Sequence, residues 1–328
     1  MSEAARALDD LDFRDGIAVL EDFRSGLMAG LSQAPKSIAC RFLYDAAGSA
    51  LFDRICETPE YYLTRTEIGI LRHCAGEIAR LAGPDCQLIE LGSGSSLKVR
   101  ILLDAMERPG AYVAIDISRD HMRIATADLA RAYPGLRTIA VCADYTGAVA
   151  LPVLPGRRIG FFPGSTIGNL TPEEARILLS LWATELGPDA ALIVGVDLKK
   201  SPAELDAAYN DAAGVTAAFT KNILTRANRE LGTNFVTGGF AHEASYVPKR
   251  GCVEIYLRSL VAQKINFSGQ MFEFAAGERI HVENSFKYGI EEFQALAADA
   301  GFAPSAVWTD EAGRFSVHYL TTARKDAP

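Results

Sequence analysis

The chain has 328 residues, 49% of them hydrophobic and 23% charged, with a formal net charge of −8. That is an ordinary globular composition long enough for two domains, and an acidic excess without a block of Lys or Arg argues against a nucleic-acid partner. No run approaches the ~18 apolar residues of a membrane span, no apolar stretch opens the chain as a secretory signal would, and the six scattered cysteines lack any Cys-x-x-Cys, as reduced cytoplasmic thiols do.

In chain order, Ile17–Leu31 has helical periodicity, and Arg41–Phe52 is polar, aromatic and Gly-bearing. Thr64 with Glu67 three later reads as a capping box, so a helix is expected from about Arg65 to Leu81, stopped by Gly83-Pro84. Leu88–Lys98 is then a short apolar strand carrying Glu90, a loop of Gly92, Ser93, Gly94, Ser95 and Ser96, and the start of a helix. This is the first crossover of an α/β sheet, whose glycines let the backbone approach a ligand and whose helix N-terminus turns free N–H groups to the same crevice. A P-loop would need Gly-Lys-Ser/Thr, and a dinucleotide fingerprint a third Gly where this chain has Leu97. A nucleoside without phosphate remains, and Asp116, at the end of the next apolar strand, is placed for its ribose hydroxyls. Asp144-Tyr145 ends the strand after that, and an acid beside an aromatic suits an adenine. Acids at successive strand ends, Glu90, Asp116 and Asp144, resemble a Class I S-adenosylmethionine (SAM)-dependent methyltransferase.

Strands are expected near 87–91, 111–116, 138–142, 159–163 and 191–197, alternating with helices as a parallel sheet demands. Asn169 falls in the loop after the fourth of these, where α/β sheets bind ligands; it is either a catalytic polar group or a plain turn residue. Thr171-Pro172-Glu173-Glu174 opens the next helix with a capping box. Residues 201–231 read as one or two helices, with Tyr209 and Thr216 seven apart on one face. Residues 234–286 break the rhythm: Val253, Ile255 and Leu257 alternate with polar residues, and so do Ile280, Val282 and Phe286. Glu283 and Ser285 therefore point to one side, as a solvated strand face or the polar wall of a pocket. Gly289–Ala300 reads as a helix, and Ala306–Thr309 with Phe315–Thr322 as an antiparallel pair at the sheet's edge.

Five stretches resemble the histidine-specific N-alpha-methyltransferases of ergothioneine biosynthesis, over roughly residues 36–325. They are Tyr44-Asp-Ala-Ala-Gly-Ser, Pro59-Glu-Tyr-Tyr-Leu-Thr-Arg-Thr-Glu67, Glu90-Leu-Gly-Ser-Gly-Ser, Gly164-Ser-Thr-Ile-Gly-Asn-Leu170 and Tyr209-Asn-Asp-Ala-Ala-Gly-Val-Thr-Ala-Ala-Phe219. The resemblance implies a Rossmann-like α/β sheet with an antiparallel edge, spanning 63–198 and 287–328, and a second α+β substrate-binding lobe from 1–62 and 199–286. It implies that Gly92, Ser93, Lys98, Asp116, Asp144 and Tyr145 hold SAM, with Tyr44 beside its methionine end. Tyr61, Asn169 and Tyr209 would hold the amino acid's carboxylate and α-amine, with Asn169 and Tyr44 as the catalytic pair. Glu283 and Ser285 would hold the imidazole, and Thr216 and Ile255 would line the pocket. Two positions depart from the family pattern: Ile255 stands where Met is common, and Asn284 where the family is apolar.

The activity so implied is threefold methylation of the α-amino nitrogen of L-histidine, through its mono- and dimethyl forms, by a cytoplasmic monomer needing SAM and no metal. The alternatives are a SAM-dependent N-methyltransferase for another amino acid or amine, and a non-catalytic SAM-binding protein.

Overall fold

The computed structural model describes residues 12–16, 22–94 and 96–322. Their chain forms two compact units, one of residues 12–16, 63–199 and 288–322, the other of 22–62 and 200–287.

The first unit is an eight-stranded sheet: β1 (Asp12–Asp15), β2 (Gln87–Leu91), β3 (Ala111–Asp116), β4 (Arg137–Cys142), β5 (Arg158–Phe162), β6 (Ala191–Asp197), β12 (Phe302–Thr309) and β13 (Phe315–Thr322). Its order is β1-β4-β3-β2-β5-β6-β13-β12, with parallel pairing up to β6 and antiparallel pairing for the last two strands. The chain order thus reverses beside β2, at the switch point where such sheets bind ligands. This is the expected Rossmann-like sheet with an antiparallel edge. β2 and β6 are buried along their whole length, and β3 up to Asp116, because helices cover a parallel sheet on both faces.

Asp12–Asp15 falls in the range expected for the second lobe, but it pairs with β4 in this sheet, with Phe13 under the guanidinium groups of Arg119 and Arg123. Four residues are too few for alternation to reveal a strand. The Thr64–Glu67 capping box does not form: the helix already spans Leu63–Ala82, and Glu67 is fully buried, turned to the Gly164 N–H and to Lys98.

The second unit packs helices Phe23–Leu31, Ala46–Glu57, Pro202–Tyr209 and Val215–Leu231 with a three-stranded antiparallel sheet and a hairpin. The sheet strands are β7 (Phe240–Val247), β8 (Cys252–Ser259) and β11 (Arg279–Phe286), in the order β11-β8-β7; the hairpin is β9 (Gln263–Phe267) with β10 (Gln270–Phe274). Of the expected N-terminal helix, residues 17–21 lie outside the described residues, and the remainder starts at Phe23, capped by the Asp22 carboxylate.

Tyr209 and Thr216 do not share a helical face. The first helix ends at Tyr209 and the second begins at Val215, after Gly214 at φ +71°. Asp211 holds the break by accepting the N–H groups of Val215 and Thr216, both at 2.7 Å. An acid that satisfies two first-turn donors, next to a left-handed glycine, outweighs the helical propensity of the surrounding alanines.

Candidate active site

In the first unit, the loop after β2 is shaped for close approach. Gly92 has φ +74° and Gly94 +40°, backbone that a side chain would strain. The Tyr145 ring passes so near that a Cβ on Gly92 would lie 3.6 Å from it. Tyr145 is fixed by edge contact with Phe162 at 5.4 Å and by its carbonyl, which accepts from Trp182 Nε1 at 2.9 Å. Asp116 ends β3, one oxygen accepting the Ser118 N–H at 2.7 Å while the other faces the Gly94 N–H at 3.5 Å. Asp144 opens the turn after β4, accepting the N–H and hydroxyl of Thr146. The Ser93 hydroxyl is buried with no hydrogen-bond partner among the described residues, which is costly unless a ligand completes it.

Below this loop is a buried charge network. Glu67 accepts the Gly164 N–H with both oxygens, at 3.0 and 2.9 Å, and pairs with Lys98 at 2.6 Å. Lys98 thus serves Glu67 directly, at the first turn of the helix Leu97–Ala105. Glu90 accepts the Tyr112 hydroxyl at 2.5 Å, and burial pushes its carboxyl up to about 8, so it is protonated at neutral pH. It is a packed, neutral acid under the loop, unlike Asp116 and Asp144.

Asn169 ends the short helical turn Thr166–Asn169. Its loop is fixed at several points: Gly164 N–H to Glu67, Asp197 N–H to Ser165 Oγ at 2.9 Å, and Thr166 Oγ1 to the Pro163 carbonyl at 2.9 Å. Ser165 is held at φ +56°, left-handed backbone that only over-determined surroundings maintain.

In the second unit, Tyr44 packs edge-on against Phe52 and Phe219, at 5.6 and 5.4 Å. Tyr61 is buried against Phe52 and Tyr209, the latter ring centroid 6.0 Å away, and burial holds its hydroxyl protonated. Tyr209 Oη and Ser285 Oγ are 2.7 Å apart. Glu283 stands opposite Ile255 across the β8–β11 ladder, and Ser285 opposite Val253. Part of Glu283 reaches solvent, yet burial of its carboxyl raises it to about 7 against the opposing charge of Lys287. Thr216 is buried at the start of its helix.

Sequence reasoning missed Lys287. It is 1% exposed and donates to both Tyr209 Oη and Ser285 Oγ, each at 2.8 Å. The signal was present, since Glu283, Ser285 and Lys287 recur every second residue, the spacing of one strand face. Glu67 was missed as a site residue because its carboxyl also fitted a local capping motif.

A family model for a SAM-dependent, histidine-specific methyltransferase matches residues 23–322. The chain belongs to this family. Over 302 residues it is 43% identical to the histidine N-alpha-methyltransferase of Mycolicibacterium smegmatis, covering 90% of this chain and 94% of that one. The enzyme of the same name from Mycobacterium tuberculosis is 38% identical, over 90% and 93% of the two chains. Ergothioneine biosynthesis protein 1 of Neurospora crassa is 30% identical over 88% of this chain, which spans 34% of that longer protein. The methyltransferase needs SAM, and the orphaned Ser93 hydroxyl, the glycine cradle and the strand-end acids fit it. Among the described residues, no cluster of His, Cys, Asp and Glu could hold a metal ion, and no helix is long and apolar enough to cross a membrane.

Proposed function

We propose that the methyltransferase transfers methyl groups from SAM to the α-amino nitrogen of L-histidine. Three rounds give the trimethyl betaine hercynine, the first step toward ergothioneine. The first unit holds SAM through Gly92, Ser93, Lys98, Asp116, Asp144 and Tyr145, and the inserted unit recognises the amino acid. The observation that carries the histidine reading is the Glu283 carboxyl, buried opposite Ile255 and on the strand face that carries Ser285 and its partner Tyr209. A buried acid left unpaired is costly, so this wall favours a side chain that donates a hydrogen bond over an aliphatic one.

Bound SAM supplies an electrophilic sulfonium methyl, which a neutral amine attacks in line. What the chain's residues contribute is orientation. The Asn169 amide oxygen accepts from the amine N–H while its NH₂ donates to the substrate carboxylate. Tyr61 donates to the carboxylate as a phenol that burial keeps protonated across the working pH, and Tyr209 Oη accepts from the α-amine. Tyr44 packs in T-shaped contacts with Phe52 and Phe219, which hold its ring in place. Glu283 accepts an imidazole N–H, and Ser285 serves the second ring nitrogen.

The test is mass spectrometry of the purified protein incubated with SAM and each common amino acid in turn. Histidine gaining one, two and then three methyl groups is expected. Methylation of another amino acid instead would overturn the roles of Glu283 and Ser285, and no product from any, with SAM bound, would overturn the activity.

A further inference from the structure

The buried ammonium of Lys287 is a site cation that the proposed reaction does not use directly. Its Nζ lies 4.9 Å from the centroid of the Tyr209 ring and donates at 2.8 Å to both Tyr209 Oη and Ser285 Oγ, which are themselves 2.7 Å apart. An ammonium has donors only, so both hydroxyl oxygens must accept from it. The two hydroxyls have two protons between them. One occupies the bond that joins them, and the other must leave the triangle. The phenol is the stronger acid of the two and donates inward to Ser285. The serine proton is then the one directed outward, on the strand face that also carries Glu283.

We propose that Lys287 is a specificity-determining positioning residue, which fixes Ser285 as a hydrogen-bond donor so that the site reads a neutral imidazole. With Ser285 a donor and Glu283 an acceptor, the matching ring carries one lone pair and one N–H. Neutral imidazole has both. Imidazolium has no lone pair, pyrrole and indole have only the N–H, and an aliphatic side chain has neither. Other groups around Glu283 reinforce its part as acceptor: Tyr61 is a neutral phenol, and the Cys40 thiol is pushed up to about 12, by burial first and the Glu283 charge second, so neither competes as an anion. His242 steadies the triangle from the other side, its Nε2 2.9 Å from the Tyr209 carbonyl and its Nδ1 2.9 Å from Thr220 Oγ1. The inference rests on the reading of this unit as the histidine site.

The experiment compares kcat/KM for L-histidine with that for an analogue carrying pyrrole in place of imidazole, alongside SAM affinity. Wild-type enzyme should prefer histidine at least about tenfold, the effect of one buried donor left unmade. Lys287→Met frees the hydroxyl pair to reverse its direction, and the preference should fall by about that factor, with SAM binding within about twofold of wild type. Loss of packing alone would lower both rates together and leave their ratio unchanged. Should Lys287→Met lose SAM binding, Lys287→Gln, which keeps a polar end without the charge, is the variant to measure. An unchanged preference in either folded variant overturns the proposal, as does equal use of the two substrates by wild-type enzyme. Glu283→Gln separates the two levels of argument: if it too leaves histidine preference intact, the histidine-site reading falls; if it alone changes preference, only the role of Lys287 falls.

Discussion

Gly195→Ala tests the buried charge network under the cofactor loop. Gly195 lies in β6 opposite Val317, in ordinary strand conformation, so alanine meets no backbone strain. A Cβ there would nevertheless stand 2.1 Å from Glu67 Oε1 and 3.0 Å from its carboxyl carbon. Contact distance is about 3.5 Å, so the carboxylate must retreat by about 1 Å or more. That breaks its hold on the Gly164 N–H, at 2.9 Å, and on Lys98, at 2.6 Å. Each bond to a charged group is worth about 1.5–3 kcal/mol, giving a loss of about 3–6 kcal/mol, a large part of the ~5–15 kcal/mol that holds a protein folded. SAM affinity should fall as well, since Lys98 follows the glycine loop and Gly164 begins the loop that ends at Asn169. The assay is a double-mutant cycle with Glu67→Ala, read by denaturant unfolding and by SAM titration. Glu67→Ala is itself destabilising, but in its background Gly195→Ala should cost less than about 1 kcal/mol, because nothing remains to be displaced. Equal costs of Gly195→Ala in both backgrounds would refute the reasoning.

Asp116→Asn should weaken SAM binding about tenfold or more by removing a charge-assisted acceptor; calorimetric titration with an unchanged Kd would reject its cofactor role. Glu283 must be ionised to accept an imidazole N–H, and burial raises its carboxyl to about 7. The kcat/KM for histidine should therefore fall as pH drops below 7, while SAM affinity stays flat; a profile level down to pH 5 would count against that acceptor. His318 is fully buried beside Phe293, and burial lowers it to about 4. Its folded value lies below the unfolded ~6.5, so the unfolded chain binds more protons between those values and stability is lost as pH falls from about 6.5 toward 4. Every tenfold difference in proton affinity between the folded and unfolded chain is worth about 1.4 kcal/mol. His318→Gln should flatten that part of the stability curve, and an equally steep curve in the variant would show that other groups cause it.

Much of the sheet was legible because parallel strands, buried on both faces, are written as apolar runs, and β2, β3 and β6 have the expected limits. The capping box Thr171–Glu174 forms as expected, being local chemistry complete within four residues. The same motif at Thr64–Glu67 fails because its second member is engaged from afar: Gly164 and Lys98 are 97 and 31 positions on, and no window around residue 67 contains them. The shared helical face of Tyr209 and Thr216 failed for the opposite reason. Alanine-rich sequence on both sides favours one continuous helix, and only the pairing of Asp211 with two amide groups shows that the chain stops and restarts.

Glu90 shows why strand-end acids mislead when read as a set. Glu90, Asp116 and Asp144 were candidate ligand groups by position, yet burial decides their chemistry. Glu90 faces Tyr112 and is pushed up to about 8, so at neutral pH it keeps its proton. Glu67 is equally buried but pairs with Lys98 at 2.6 Å and accepts the Gly164 N–H with both oxygens, which ties the loop to the helix. Asp116 and Asp144 are half-exposed and each engaged by its own turn, which aims the side chain. The same residue type is thus packing, tether or ligand according to its nearest donor. Ser285 obeys the same rule: its role as donor follows from the Lys287 ammonium beside it, a neighbour two positions along the chain.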